Sequence, residues 1–171
     1  MQLIRCTKKL QTAMGIKPEA LIQHEAQTSL LGSWHANFLV INRSKCVLFA
    51  NDKTLFNFII PDVQKAQWQK IDAEFKAWLQ CVLADEGFDT PVIEQVLSEY
   101  DQIGFANTSN RSVLGSMNDL AFHYQVRIEE AGGVHSYMMP EIIKAMNRVP
   151  FSRLEHYNPI KSLQHLLNSK Q

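Results

Sequence analysis

Three segments, "SWHANFLVI" (33–41), "KCVLFA" (45–50) and "KTLFNFII" (53–60), follow one another so closely that the chain has little freedom in pairing them. In the first, Trp34, Ala36, Phe38 and Val40 alternate with Ser33, His35 and Asn37, the period of two that marks a strand. "NRSK" turns the chain. The second segment is apolar at successive positions, as expected of a central strand covered on both faces. Asn51-Asp52 can adopt the positive φ angles of a tight turn, and the third strand follows. Connections this short join antiparallel neighbours, so the three strands form a meander.

The flanking segments read as further strands and helices around that meander. "QLIRC" suits a strand, and "TKKLQTAMG" a helix with Thr7 as N-cap and Gly15 as its left-handed end. "KPEALIQHE" reads as a second helical piece with Pro18 in its first turn. Pro61-Asp62 opens a long helix to about Glu86, with Trp68, Ile71, Phe75, Trp78, Leu79 and Val82 on one face. Gly87 ends it. Thr90 caps a short helix with Pro91 at its first position. "DQIGFANT" is a fourth strand, and a helix runs from about Arg111 to Glu130 before Gly132-Gly133. The last forty residues give two short helices joined by a Pro-containing connector, the second starting at Asn158-Pro159.

The expected fold is therefore α+β. It is a single domain over 1–171 with a mostly antiparallel sheet, namely the meander plus one or two further strands, covered by helices. Residues 1–132 form the core and 133–171 a helical C-terminal extension packed on it. The extension's apolar groups, "SYMM", "EIIKAM" and "SLQHLL", suit packing in cis or pairing with a second copy as a homo-oligomer; packing in cis is the expectation.

Composition limits the function classes. Formal net charge is zero, so no global field draws DNA, RNA or anionic lipid. The distribution is uneven: residues 1–60 hold seven Lys/Arg against three Asp/Glu, and residues 61–100 three against eight. Either these regions pair internally or the basic third exposes a patch for an anion. Cys6, Cys46 and Cys81 are isolated and form no CxxC pair, which reads as reduced thiols in a cytoplasmic protein. "MQLIRCTKKL" lacks the apolar core of a secretory signal, and no apolar run reaches membrane-spanning length.

The stretch "NTSNRSVLGSMNDL" (107–120) is polar at the approach to a helix. Val113, Met117, Leu120, Tyr124 and Ile128 share one helical face, while Ser112, Ser116, Asp119, His123 and Arg127 share another. Either Thr108 to Ser112 only cap the helix and the polar stripe meets water, or the helix start with Arg111 and its hydroxyls holds an anion. Gly115 inside the helix suggests a close approach to the backbone.

The blocks "LIRCTKKL", "WHAN", "NRSKCVLFANDKTLF" and "NRSVLGSMND" resemble a bacterial domain family of unknown function, relatives of which occur in plasmid-encoded proteins. The resemblance spans about residues 1–125, and the tail motifs "MNRVP" and "YNPIKSL" are similar to the family's tails. It brings no reaction. It implies only that His35, Asn37, Arg43, Lys45, Asn51, Asp52, Lys53, Asn110, Arg111, Ser112, Ser116, Asn118 and Asp119 recur together.

Two functions from different classes remain. The first is a non-catalytic binding or regulatory module, in which Arg111, Ser112, Ser116, Asn118, Asn37, Lys45 and Lys53 gather at one concave spot for an anionic ligand: a nucleotide, a nucleic acid or an acidic partner. The second is a small hydrolase or nuclease-like enzyme in which His35 converges with Asp119 or His123 as acid and base. Against it, Asp119 and His123 are four apart and can pair on the helix surface without any function. Trp34 and Phe56 could stack on bases, although aromatics in such strands more often belong to a core. His and Cys spacing suggests no metal site, and no cofactor is implied. The binding module is preferred, because acid, base and nucleophile show no tight spacing.

Overall fold

The computed structural model describes residues 1–23 and 29–169. Its sheet has five strands in the order β4-β3-β2-β1-β5. The meander of β2 (Trp34–Ile41), β3 (Ser44–Asn51) and β4 (Asn57–Ile60) is antiparallel, with Trp34 opposite Asn51, Ile41 opposite Ser44 and Phe49 opposite Phe58. β1 (Gln2–Cys6) and β5 (Ile103–Asn107) complete it, and β1 runs parallel to both β2 and β5. The fold is α+β as expected, and the sheet is mixed: its antiparallel meander carries two parallel pairings besides, so it is not purely antiparallel. Short turns enforce antiparallel pairing only within the meander; β1 reaches its neighbours through long helix-bearing connections, which permit the parallel arrangement.

The first turn explains its own geometry. Asn42 and Arg43 have φ of 49° and 67°, the left-handed pair of a two-residue hairpin. Asn51-Asp52 does not form the second such turn. Asn51 ends β3, and its buried Oδ1 accepts from the amides of Lys53 and Thr54 and from Thr54 Oγ1, at 3.0–3.1 Å. This side-chain-organised loop puts the positive φ at Leu55 instead, at 56°. β3 is covered on both faces but lies second from the sheet edge, with β2 in the middle.

One sheet face carries Trp34, Phe49 and Phe58, which close around Phe75 of α3 (Ile71–Asp85), with ring centroids 5.0–5.6 Å from it. Trp34 Nε1 donates to Tyr100 Oη at 2.8 Å. Trp34 and Phe56 are fully buried, so both belong to the core and neither is a stacking platform. The opposite face, bearing His35, Ala50 and Asn57 in register, receives α5 (Arg111–Glu130), whose Val113, Met117, Leu120, Tyr124 and Ile128 are buried as its spacing predicts.

Three helical boundaries differ from expectation. The long helix predicted from Pro61 begins only at Lys65 and splits into α2 (Lys65–Trp68) and α3. Asp62 has φ 48°, and the Val63 amide donates to the Lys45 carbonyl at 2.7 Å, which ties this segment to β3 and keeps it extended. Asp89, not Thr90, occupies the N-cap of α4 (Thr90–Ser98). After α1 (Lys8–Met14), capped by Thr7 and closed by Gly15, the "KPEALIQHE" helix reduces to one 3-10 turn at Pro18–Ala20. Ile22 is drawn instead into a parallel bridge with Ala106, in space left by Gly104, where a Cβ would collide with Ile22 Cδ1. The last two residues of that segment, His24 and Glu25, lie outside the described residues.

The tail contributes α6 (Met139–Met146) and α7 (Pro159–Asn168), the latter capped by Asn158 Oδ1, which accepts from the Lys161 amide at 3.0 Å. α6 packs on α5, α3 and β4. Arg148 grips the buried carboxylate of Glu86 with two hydrogen bonds, at 3.0 and 2.8 Å. None of the helices among the described residues is long and apolar enough to cross a membrane.

Candidate functional site

The polar stretch before α5 resolves into hydrogen bonds made within the chain. Asn110 Oδ1 accepts from the amides of Ser112 and Val113, at 3.0 and 3.1 Å, so these donors at the helix start are already satisfied. The Ser109 amide points at His35 Nε2, 3.3 Å away. That amide can only donate, so Nε2 accepts and the ring proton sits on Nδ1, 2.6 Å from Asp52 Oδ1. His35 is thereby a fully buried strut joining β2, the loop after β3 and the segment leading into α5.

The same arrangement places the residues expected of an acid–base set. His35 is engaged by Asp52, while Asp119 and His123 are exposed on the outer side of α5. The three residues do not meet in one open cleft. Asp52 stood in the sequence as a turn residue and, by resemblance, as one of the recurring polar residues; its pairing with His35 follows from lying just beyond Asn51, level with the start of β2.

The expected gathering of basic and polar residues does not form either. Lys45 stands near the start of β3 and Lys53 two residues beyond its end, so roughly 20 Å of strand, at about 3.3 Å per residue, runs between them. Lys53 Nζ donates to the carbonyls of Ser29 and Leu30, at 3.3 and 2.9 Å, and lies across Gly32, where a Cβ would come within 2.9 Å of its Cε. Asn37 Oδ1 accepts from Thr7 Oγ1 at 2.9 Å, which supports the cap of α1. Ser116 is buried and donates to the Ser112 carbonyl at 3.2 Å. Arg111, Ser112 and Asn118 are exposed. Gly115 meets nothing within 4 Å of a Cβ built on it, so no close approach explains that glycine.

Lys45 instead belongs to a different constellation. A cleft of about 470 Å³ opens at the β2–β3 hairpin, and three cationic side chains line it: Arg43 from the turn, Lys45 from β3 and Lys65 from the first position of α2. Asp62 is the acidic residue in the lining, and its Oδ2 is paired with His135 Nε2 at 3.1 Å. Trp68 forms one wall and packs on Phe38, with ring centroids 5.9 Å apart. Two of the lining residues, Arg43 and Asp62, hold left-handed backbone conformations, which neighbouring structure must maintain at a cost.

Sequence reasoning named Arg43 and Lys45 but did not single out Lys65, and it assigned Trp68 to the apolar face of one continuous helix. The break at Gln69–Lys70 and the extended segment before Lys65 swing both toward the hairpin. Among the described residues no group of three or more His, Cys, Asp or Glu side chains is placed to hold a metal ion.

No curated protein matches the chain. A family model described as "Domain of unknown function (DUF6933)" matches residues 3–162, and the chain belongs to that family.

Proposed function

We propose that this chain is a non-catalytic binding module for an anionic ligand, with its site in the hairpin cleft. The observation that carries the reading is the convergence of Arg43, Lys45 and Lys65 on one cleft of about 470 Å³, where Asp62 is already engaged by His135. Three guanidinium and ammonium groups in a concave setting form charge-assisted hydrogen bonds with phosphate or carboxylate oxygens. The Trp68 wall adds an aromatic surface, so a nucleotide, free or within a single strand, suits the cleft's size and chemistry. The reading sets the module in a reducing compartment such as the cytoplasm; Cys6, Cys46 and Cys81 are all free thiols.

Calorimetric titration with ATP and with a short single-stranded DNA tests the reading. Wild type is expected to bind at least one probe, and Lys45→Glu with Lys65→Glu to weaken that binding by about tenfold or more. Arg111→Ala, outside the cleft, is expected to bind as wild type does. Wild type binding neither probe, or charge reversal without effect, would end the proposal.

A further inference from the structure

We infer that the C-terminal extension builds a second anion site, separate from the hairpin cleft, for a small ligand carrying a phosphate group. After α6 the connector doubles back beside α7, held by hydrogen bonds from the Phe151 amide to the Tyr157 carbonyl and from the Leu154 amide to the Phe151 carbonyl, at 3.0 Å each. Between this connector, α7 and the loop after β3 lies a cleft of about 310 Å³, with Lys53, Arg153, His156, Ser162 and His165 in its lining. It shares no lining residue with the hairpin cleft.

Ser162 points to a missing partner. The residue is only 7% exposed, and its Oγ is buried without any hydrogen-bond partner among the described residues. A buried hydroxyl left unpaired is destabilising, and native structures rarely keep one without a reason. Ser162 and His165 are three apart on α7 and so share the helix face that lines the cleft.

The surrounding groups define the ligand's sign. The rings of His156 and His165 lie nearly face to face, with centroids 3.9 Å apart and planes inclined by 31°. Two imidazoles this close repel each other when both carry charge, and an anion beside them offsets that repulsion. Arg153 uses one guanidinium N–H on the Asp52 carbonyl at 3.3 Å and has four others to offer. Lys53 adds positive charge at the edge while anchoring the Ser29 and Leu30 carbonyls. Glu155 is the acidic residue in the lining. A hydroxyl, two ring nitrogens and a guanidinium supply donors in several directions, which matches a tetrahedral oxyanion better than a cation or a neutral group.

The test follows the histidine ring C–H signals of the full chain by NMR at mildly acidic pH and constant ionic strength. It uses inorganic phosphate in one arm and phenyl phosphate in the other. The His156 and His165 signals are expected to move together and saturate while those of His123 stay in place. Saturation by inorganic phosphate identifies the free ion as sufficient; saturation by phenyl phosphate alone identifies a phosphomonoester. Arg153→Gln is expected to weaken binding about tenfold. Ser162→Ala is expected to weaken it as well while leaving the unliganded protein's melting temperature equal or higher, since it removes an unpaired hydroxyl. Neither probe shifting the two histidines, or both variants binding as wild type does, would overturn the inference.

Discussion

Asn147 clasps the backbone of Asn57 from both sides: its Oδ1 accepts from the Asn57 amide and its Nδ2 donates to the Asn57 carbonyl, each at 2.8 Å. β4 is an edge strand, and this side chain supplies the pairing that a further strand would have given. The Asn57 side chain extends the arrangement, accepting from Tyr124 Oη at 2.8 Å and donating to the Leu55 carbonyl at 2.9 Å. Sheet edge, α5 and tail thus meet in one buried polar network.

Asn147→Ala strands the amide and carbonyl of Asn57 in a buried site. A loss of about 2–4 kcal/mol in unfolding free energy is expected, measured by urea denaturation. Asn57→Ala keeps that backbone clasp and removes the side-chain bonds to Tyr124 and Leu55; because both sets of bonds meet at one residue, the double variant is expected to lose less than the two single losses combined. Full additivity would show the two residues acting separately.

Arg43 sits in the left-handed region at φ 67° and also lines the hairpin cleft. Arg43→Gly relieves the backbone cost while deleting a cation. The expected result is a fold more stable by about 1 kcal/mol that binds ATP or single-stranded DNA more weakly. A stability gain without a binding loss would remove Arg43 from the site.

Gly115 lies within α5, and the space its missing Cβ would fill is open, so Gly115→Ala meets no obstacle. Helix propensity alone then predicts a gain of about 0.5–1 kcal/mol, visible as a higher melting temperature. A destabilised variant would mean that the glycine serves a contact outside this chain.

Burial pushes the Cys6 thiol from its ordinary 9.0 up to about 12, and raises Cys46, Tyr100 and Tyr124 as well. In each case the folded state favours the neutral form. The stabilisation is therefore complete below about pH 9, and is lost as pH rises through the window between the unfolded and folded values. Denaturation midpoints are expected to hold steady up to about pH 9 and fall steeply beyond it. At neutral pH an alkylating reagent is expected to modify exposed Cys81 well before buried Cys6 and Cys46, as read by peptide mass spectrometry.

The His35 ring is held as the Nδ1–H tautomer by the Ser109 amide on one side and Asp52 on the other. Long-range proton–nitrogen spectra are expected to show the proton on Nδ1 and none on Nε2. Asp52→Ala is expected to cost about 1–3 kcal/mol by leaving a buried donor unpaired. A reversed tautomer would contradict the strut.

Local pattern carried most of the fold. The meander, the extent of α5 and the caps at Thr7, Asn110 and Asn158 depend on residues within a few positions of one another, and their spacing alone defines them. Pairing of β1 with β2 and β5 depends on distant segments and left no local mark. The hairpin cleft was half legible: Arg43 and Lys45 stood out as basic turn residues, while Lys65 and Trp68 joined them only because Asp62 turns left-handed and Val63 bonds to Lys45. The polar block at 107–112 looked like a ligand site because caps and anion sites use the same short side chains; only the Ser109–His35 and Asn110 hydrogen bonds separate the two uses.

The interior position of β1 also orders events at the ribosome. Gln2 to Cys6 are made before the other strands of this sheet, and their partners on one flank, Ile103 to Asn107, are translated about one hundred residues later. During that interval Leu3 and Ile4, destined for the core, have an uncovered side open to other nascent chains and to chaperones. Completion of this sheet is thus a late event in biogenesis, and truncation anywhere before Asn107 leaves its first strand unfinished.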